Sequence, residues 1–443
     1  MSDTASAKNT FPAQGEQVPI ARETGRVIRL LRKQPTVAAA ALFILMLSGP
    51  PRLRFRDLDA SLRGDTDWVV LFHLGVWGLA GFWVLVQIYK RMQARLPVIR
   101  LRLPQILGFA LVLSLSVSIL TSDAPSLTAF KVYQILVSLV FTQIFVERFG
   151  AHASLKTMLW GNALLCLTIA ICAFVAPEMV WTVSETDPQL PRLYGELIAS
   201  TGVVSVFAII LLLTVVRRIW RPAPLSLLAL FFCLLILSLM RTAYIVTLVF
   251  FALVILRHPN MKPLRRFSYC FFALLLLLFA VGQIPSLSRY RSPETVWTLS
   301  DRIGLWSHLT SVTLDRSPWF GLGYYSASRI HGPEHNPLLG TAHSMFVEVL
   351  AGGGLVSLAL FLALCVTLSV YAAGLLYLRR DRLAFAFSTL FIACIVLGLM
   401  GETIDSGPLA LAFWCSASAL PRLREWPLTI KTPMRLAETH ATA

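Results

Sequence analysis

Residues 223–256 read APLSLLALFFCLLILSLMRTAYIVTLVFFALVIL, thirty-four residues in which Arg241 is the only charge. As one straight helix they would be about 51 Å long, against a bilayer core of about 30 Å. The stretch must therefore fold back on itself. Basic pairs at Arg217-Arg218 and Arg265-Arg266 flank it, and Lys/Arg clusters favour the cytoplasmic side, so both flanks belong on the same side. The reversal falls at Ser238-Leu239-Met240-Arg241-Thr242, at the outer face.

The same pattern extends through the chain. Apolar runs sufficient to cross, or nearly so, occupy 36–49, 67–89, 104–121, 128–146, 157–176, 196–216, 223–239, 242–256, 267–283, 354–377, 383–400 and 405–421. The expectation is an all-α polytopic membrane protein of about twelve transmembrane helices. The segments this assigns to the inside carry 27 Lys/Arg and the outside segments 11, with Lys131 alone within a span. That bias places both termini in the cytoplasm. The weakest run, 36–49, affects only the side of the amino terminus. Residues 1–26 are polar, and Arg-rich sequence rather than a small-residue cleavage site follows the first apolar run, which argues against a removable signal peptide.

Composition agrees. Of 443 residues, 56% are hydrophobic and only 14% charged, against about 25% charged in a soluble domain. The net charge of +16 sits in short clusters between apolar runs, the distribution of an oriented membrane protein and not of a nucleic-acid-binding face. All seven cysteines lie inside apolar runs without a CxxC pair, which argues against a disulfide framework or thiolate metal site.

The expected organisation is a cytoplasmic tail with a basic amphipathic segment at 1–34, nine helices over 35–283, one large periplasmic loop with a short interfacial helix over 284–353, three helices over 354–421, and a cytoplasmic tail at 422–443. Residues 343–377 would be about 52 Å as one helix, so 343–352 is expected as a separate short helix at the outer boundary. The loop 284–342 holds three of the eight histidines, with His343 at its exit, and five arginines.

Within this outer region a few residues have usable chemistry. Arg241, with apolar sequence on both sides, is costly unless it snorkels or meets an anion. It fits an interfacial arginine on a lipid headgroup, or a planar fork held for a phosphate or diphosphate. Arg302 can be neutralised by Asp301, which can also cap the helix that Arg302 opens. His343 precedes a short helix, and an imidazole that titrates near neutral pH can take a proton from a hydroxyl. Glu348 is a candidate supporting carboxylate. His331-Gly332-Pro333-Glu334-His335 matches the spacing of inverted zinc peptidases, but Gly332, Pro333 and Pro337 are expected to allow one frayed turn at most. No metal site is assigned. Gly321-Leu322-Gly323 is expected to turn the loop back, since no strand precedes it.

Four features in order, Ser238 with Arg241-Thr242-Ala243, Asp301-Arg302-Ile303-Gly304-Leu305-Trp306, Ser317-Pro318-Trp319-Phe320-Gly321-Leu322-Gly323, and Ala342-His343-Ser344 leading to Glu348 and Gly352–Gly354, resemble the O-antigen ligase and lipid-linked oligosaccharide polymerase superfamily. The resemblance covers roughly 238–377. The family usually carries Asn after its functional histidine. Here Ser344 stands there, and His335-Asn336 has that dipeptide. His343 is preferred because a helix with an acidic residue and then glycines follows it. Met240 stands where the family commonly has Ser.

The resemblance implies a GT-C-like, metal-independent inverting glycosyltransferase of the bacterial inner membrane that needs no cofactor. Its donor would be an undecaprenyl-diphosphate-linked oligosaccharide and its acceptor a glycan or lipid A-core, on the periplasmic side. Arg241 and Arg302 would hold the donor diphosphate and His343 would act on the acceptor hydroxyl, with Glu348, His335 and Asp301 in supporting positions. A polysaccharide transporter or flippase is the alternative, and a membrane assembly protein without catalysis a third.

Overall fold

The structure is a computed structural model and describes residues 37–48, 68–184, 187–193, 200–216, 218–219, 221–257, 263–282, 302–335, 341–378, 381–401 and 404–425. Asp301, and the expected tails apart from 422–425, lie outside the described residues. Residues 42–443 form one compact unit; of the other, residues 1–41, only the start of the first helix is described.

Helices coincide with the apolar runs: α1 (Val37–Leu47), α2 (Trp68–Gln93), α3 (Leu103–Val117), α4 (Pro125–Phe149) and α5 (Ala151–Val175). A four-residue α6 (Pro177–Val180) leads into strands β1 (Trp181–Ser184) and β2 (Asp187–Leu193), then α7 (Thr201–Val215), α8 (Pro222–Leu237), α9 (Arg241–Arg257) and α10 (Pro263–Gly282). The chain continues through α11 (Arg302–Arg316), α12 (Ser326–His335), α13 (Met345–Leu378), α14 (Arg382–Leu399) and α15 (Gly407–Glu425). Among the described residues, five helices, α2, α4, α5, α13 and α14, are long and apolar enough to cross a membrane. Proline at the start of α3, α4 and α8 costs nothing there, because the first turn has no intrahelical acceptor for an N–H.

Burial divides the helices into central and peripheral sets. Most of α15 and nearly all of α7 are buried on every face, and the apolar window of α4 is 78% buried against 39% for α2. A helix apolar all round is one surrounded by other helices. α15 packs on α4 and α14, α13 on α3 and α14, and α7 on α5, α8 and α14. Phe82, Leu113 and Val366 stay exposed on outer faces, where lipid takes the place of protein.

Two departures from an all-helical expectation matter. β1 and β2 pair antiparallel, Trp181 opposite Leu193 and Thr182 opposite Arg192. The apolar content of 177–193 is too low for a buried helix, while Trp181 and Thr182 suit a strand. Within the expected outer loop, the described residues 302–335 are largely helical, and helix α12 runs straight through Gly332 and Pro333. That corrects the expectation of a single frayed turn. Proline removes the bond to the carbonyl four residues back and crowds that carbonyl, but the last turn is tied by other means: His331 Nδ1 meets Glu334 Oε1 at 2.9 Å and His331 Nε2 meets Asp123 Oδ2 at 3.0 Å.

Candidate active site

The Arg302-Ile303-Gly304-Leu305-Trp306 segment opens α11, and residues four apart on a helix share a face. Arg302 Nη1 donates to the Met400 carbonyl at the end of α14, at 2.6 Å, and Trp306 Nε1 donates to the Ala342 carbonyl at 2.7 Å. One turn of helix thus spans from α14 to the residue preceding His343. The other side of the Ala342 peptide is also held: its N–H donates to Glu348 Oε2 at 3.2 Å. Glu348 is fully buried and its other oxygen accepts Ser328 Oγ at 2.8 Å.

His343 follows with φ +51°. A non-glycine residue in the left-handed region costs of order 1 kcal/mol and persists only where the surroundings over-determine it. Ala342, clamped through both of its backbone groups, supplies that constraint from one side. From the other, Met345 is fully buried against Gly398, where any side-chain carbon would collide with the Met345 sulfur. His343 itself is half-buried. Arg302 is therefore anchored to the end of α14, and the segment that carries His343 packs on the same turn two residues further on, through Met345 against Gly398.

Arg241 reaches the same end from another direction. α8 stops at Leu237, and Ser238 Oγ donates to Leu235 O at 2.7 Å and accepts Met240 N at 3.3 Å, closing a turn in which Leu239 has φ +52°. Met240 packs its Cβ 2.7 Å from the position of a Cβ on Gly202 and accepts Ser200 Oγ on sulfur at 3.4 Å. Its thioether fills space against α7 that a serine would leave open. Arg241 then begins α9 and is exposed. α9 lies along α14 and antiparallel to it, since Arg257 at its far end donates to Asp381 O at 3.0 Å and lies over the Phe385 ring, so Arg241 stands at the Met400 end of that pair.

The remaining two motifs make one structural unit. α13 is broken at Gly354, where φ is +68° and ψ −168°. Breaking a helix orphans carbonyls on one side and N–H groups on the other. The 317–323 segment satisfies both: Leu322 N and Gly323 N donate to Ala351 O and Gly352 O at 2.9 and 3.0 Å, and Leu355 N and Val356 N donate to Pro318 O and Trp319 O at 2.8 and 3.3 Å. The backbones approach so closely that a Cβ on Gly354 would collide with Trp319. The glycines therefore serve close packing under the site.

A polar layer joins this unit to the helix bundle. Lys131 Nζ pairs with the fully buried Asp405 at 2.5 Å and lies 4.1 Å from the Tyr325 ring centroid. Ser138 Oγ donates to the Asp405 carbonyl at 3.4 Å. Arg329 Nη2 donates to Tyr325 Oη at 3.3 Å. Tyr324 is fully buried, and that burial, with Asp405 and Glu348 nearby, pushes its phenol well above its ordinary value. Sequence reasoning found Lys131 but missed Asp405. The signal was there, since a lone lysine in an apolar run requires a carboxylate partner.

His335 closes α12, exposed, with its ring stacked on His308 at 5.8 Å between centroids. His331 is buried between Asp123 and Glu334, and its hydrogen bond holds the Glu334 carboxyl below the usual range. Among the described residues no three of His, Cys, Asp or Glu are placed to hold a metal ion.

Residues 225–362, which contain Arg241, Arg302, His343 and Glu348, match the family model described as O-antigen ligase. A second model, described as a domain of unknown function, matches residues 154–241. No curated protein matches the chain. With the four motifs in place on a helical membrane scaffold, the match over 225–362, about a third of the chain, supports a relationship to the O-antigen ligase superfamily.

Proposed function

We propose that the protein transfers a glycan from an undecaprenyl-diphosphate carrier to a sugar hydroxyl at the periplasmic face of the bacterial inner membrane, as an O-antigen ligase or surface-polysaccharide polymerase. The chain would cross about twelve times in a GT-C-like arrangement with both termini in the cytoplasm. The observation that carries this reading is that Arg302 bonds to the end of α14 and Met345, two residues after His343, packs on the same turn, with Arg241 at that end of the adjacent α9.

Arg302 and Arg241 present guanidinium forks to the donor diphosphate, and their charge offsets what develops on the departing phosphate oxygen. The acceptor oxygen attacks the anomeric carbon from the face opposite the diphosphate. The C–O bond to phosphate breaks with its electron pair leaving on phosphate, and the hydroxyl proton passes to His343. The product is inverted at that carbon. None of these steps assigns a role to a metal. A transporter would carry ionisable groups near the bilayer midplane, whereas Lys131, with Asp405, is the seventh residue of α4, about two turns from its start.

The test is reconstituted transfer from a lipid-linked donor. His343→Ala and Arg241→Ala are each expected to abolish product while the protein still inserts, and EDTA is expected to leave the wild type active. Normal product from both variants would remove the assignment; loss of activity on chelation would remove metal independence.

A further inference from the structure

At the end of the helix bundle opposite His343, four helix ends gather charge: the last turns of α2, α4 and α15, and the start of α3. Glu147, on α4, accepts both Arg91 and Arg422. Arg102 grips Glu425 in a two-pronged fork, Nε to Oε1 at 2.8 Å and Nη2 to Oε2 at 2.5 Å. Arg148 donates to Gln87, and the exposed Arg100 guanidinium has no side-chain partner among the described residues.

With Lys90 and Arg424 of the same last turns, seven basic residues meet two glutamates here, a surplus of five positive charges. Helix dipoles offset part of this. Each terminus is worth about half an elementary charge, negative at the three carboxyl ends and positive at the one amino end. About four positive charges remain.

Basic residues at one membrane face are expected from orientation alone. Two buried atoms point further. Arg102 Nη1 is buried and has no hydrogen-bond partner, although the other side of its guanidinium is taken. Gln143 is 1% exposed, and its Nε2 donates to the Arg100 carbonyl at 2.9 Å and to Glu147 at 3.2 Å. Because both partners are acceptors, the amide orientation is fixed, and Gln143 Oε1 is left buried without a donor. Buried polar groups are normally satisfied. The cluster thus lacks one acceptor facing arginine and one donor facing an amide oxygen, within a net positive field.

We propose that this end of the bundle binds a phosphate group bearing a hydroxyl, either the headgroup of an anionic lipid such as phosphatidylglycerol or free inorganic phosphate. The phosphate oxygens accept from Arg102 Nη1 and Arg100, and the hydroxyl donates to Gln143 Oε1. A ligand so placed crosslinks the ends of α3, α4 and α15, on the face remote from glycan transfer.

The experiment is thermal unfolding of the purified full chain in phosphatidylcholine micelles, with added phosphatidylglycerol in one arm and inorganic phosphate in the other. A rise in the midpoint of about 3 °C or more with either addition is expected for a ligand that binds only the folded state. Arg100→Gln and Arg102→Gln should each remove the rise, while Arg266→Gln, an exposed arginine at the start of α10, should keep it. Arg100→Gln breaks no side-chain contact among the described residues, so it reports even if Arg102→Gln fails to fold. A rise with phosphatidylglycerol alone identifies the lipid, and a rise with inorganic phosphate identifies the free anion. No rise in either arm, or a rise unchanged in Arg100→Gln, overturns the site.

Discussion

Glu348 Oε2 holds the backbone N–H of Ala342 at 3.2 Å, and the next residue, His343, stands at φ +51°. A carboxylate buried at the start of α13 thereby fixes the backbone that leads into His343. Glu348→Leu is expected to leave the Ala342 N–H and the Ser328 hydroxyl buried without their acceptor, at about 1–3 kcal/mol each. Misplacing a reacting group by about 1 Å can cost about a hundredfold in rate. Steady-state transfer assays should show kcat falling by about that factor with donor KM little changed. Glu348→Gln keeps an acceptor for Ala342 and should recover most of the loss; a large KM change instead would point to direct substrate binding.

Arg302 offers a different signature. Its bond to Met400 O orients the guanidinium plane, and lysine has neither the plane nor the fork. Arg302→Lys is expected to raise donor KM by about tenfold, the loss of one charge-assisted hydrogen bond of about 1.5 kcal/mol. An acceptor titration should be nearly unaffected.

The Lys131–Asp405 pair predicts a non-additive stability pattern. Asp405→Asn leaves a buried ammonium without its counter-charge, an expected loss of about 3–5 kcal/mol. The double variant Lys131→Met with Asp405→Leu removes both charges and should be closer to wild type than either single change. Unfolding midpoints of the wild type, Lys131→Met, Asp405→Leu and the double variant in detergent check this. Equal, additive losses would mean that the pair is not coupled.

Two glycines of α13 should respond in opposite senses. Gly354 has positive φ and backs onto Trp319, so Gly354→Ala is expected to destabilise by more than about 1 kcal/mol. Gly374 has open space around it, and Gly374→Ala should stabilise by about 0.5–1 kcal/mol through helix propensity. Thermal melts of the two variants in parallel measure both signs.

Much of this was legible in sequence because it depends on short-range arithmetic. The thirty-four apolar residues around Arg241 were too long for one crossing, and the structure turns at Ser238–Met240. The stretch from His343 was likewise too long, and α13 breaks at Gly354. What escaped depends on partners far away in the chain. Helix α12 passes Pro333 because Asp123, about two hundred residues earlier, helps to tie its last turn through His331. The role of Asp405 follows from Lys131, 274 residues away. The strain at His343 shows in no local pattern, since it is imposed by Trp306, Glu348 and Gly398 together.

Four main-chain hydrogen bonds stitch 317–323 across the interruption in α13, and none of them involves a side chain. Evolution is thus free to vary which residues flank the glycines in this stitch, but not how many there are. Adding or removing one residue between Pro318 and Gly323 would slide every donor past its acceptor, so indels here should be lethal to folding where substitutions at Trp319 or Phe320, both facing outward, are tolerated.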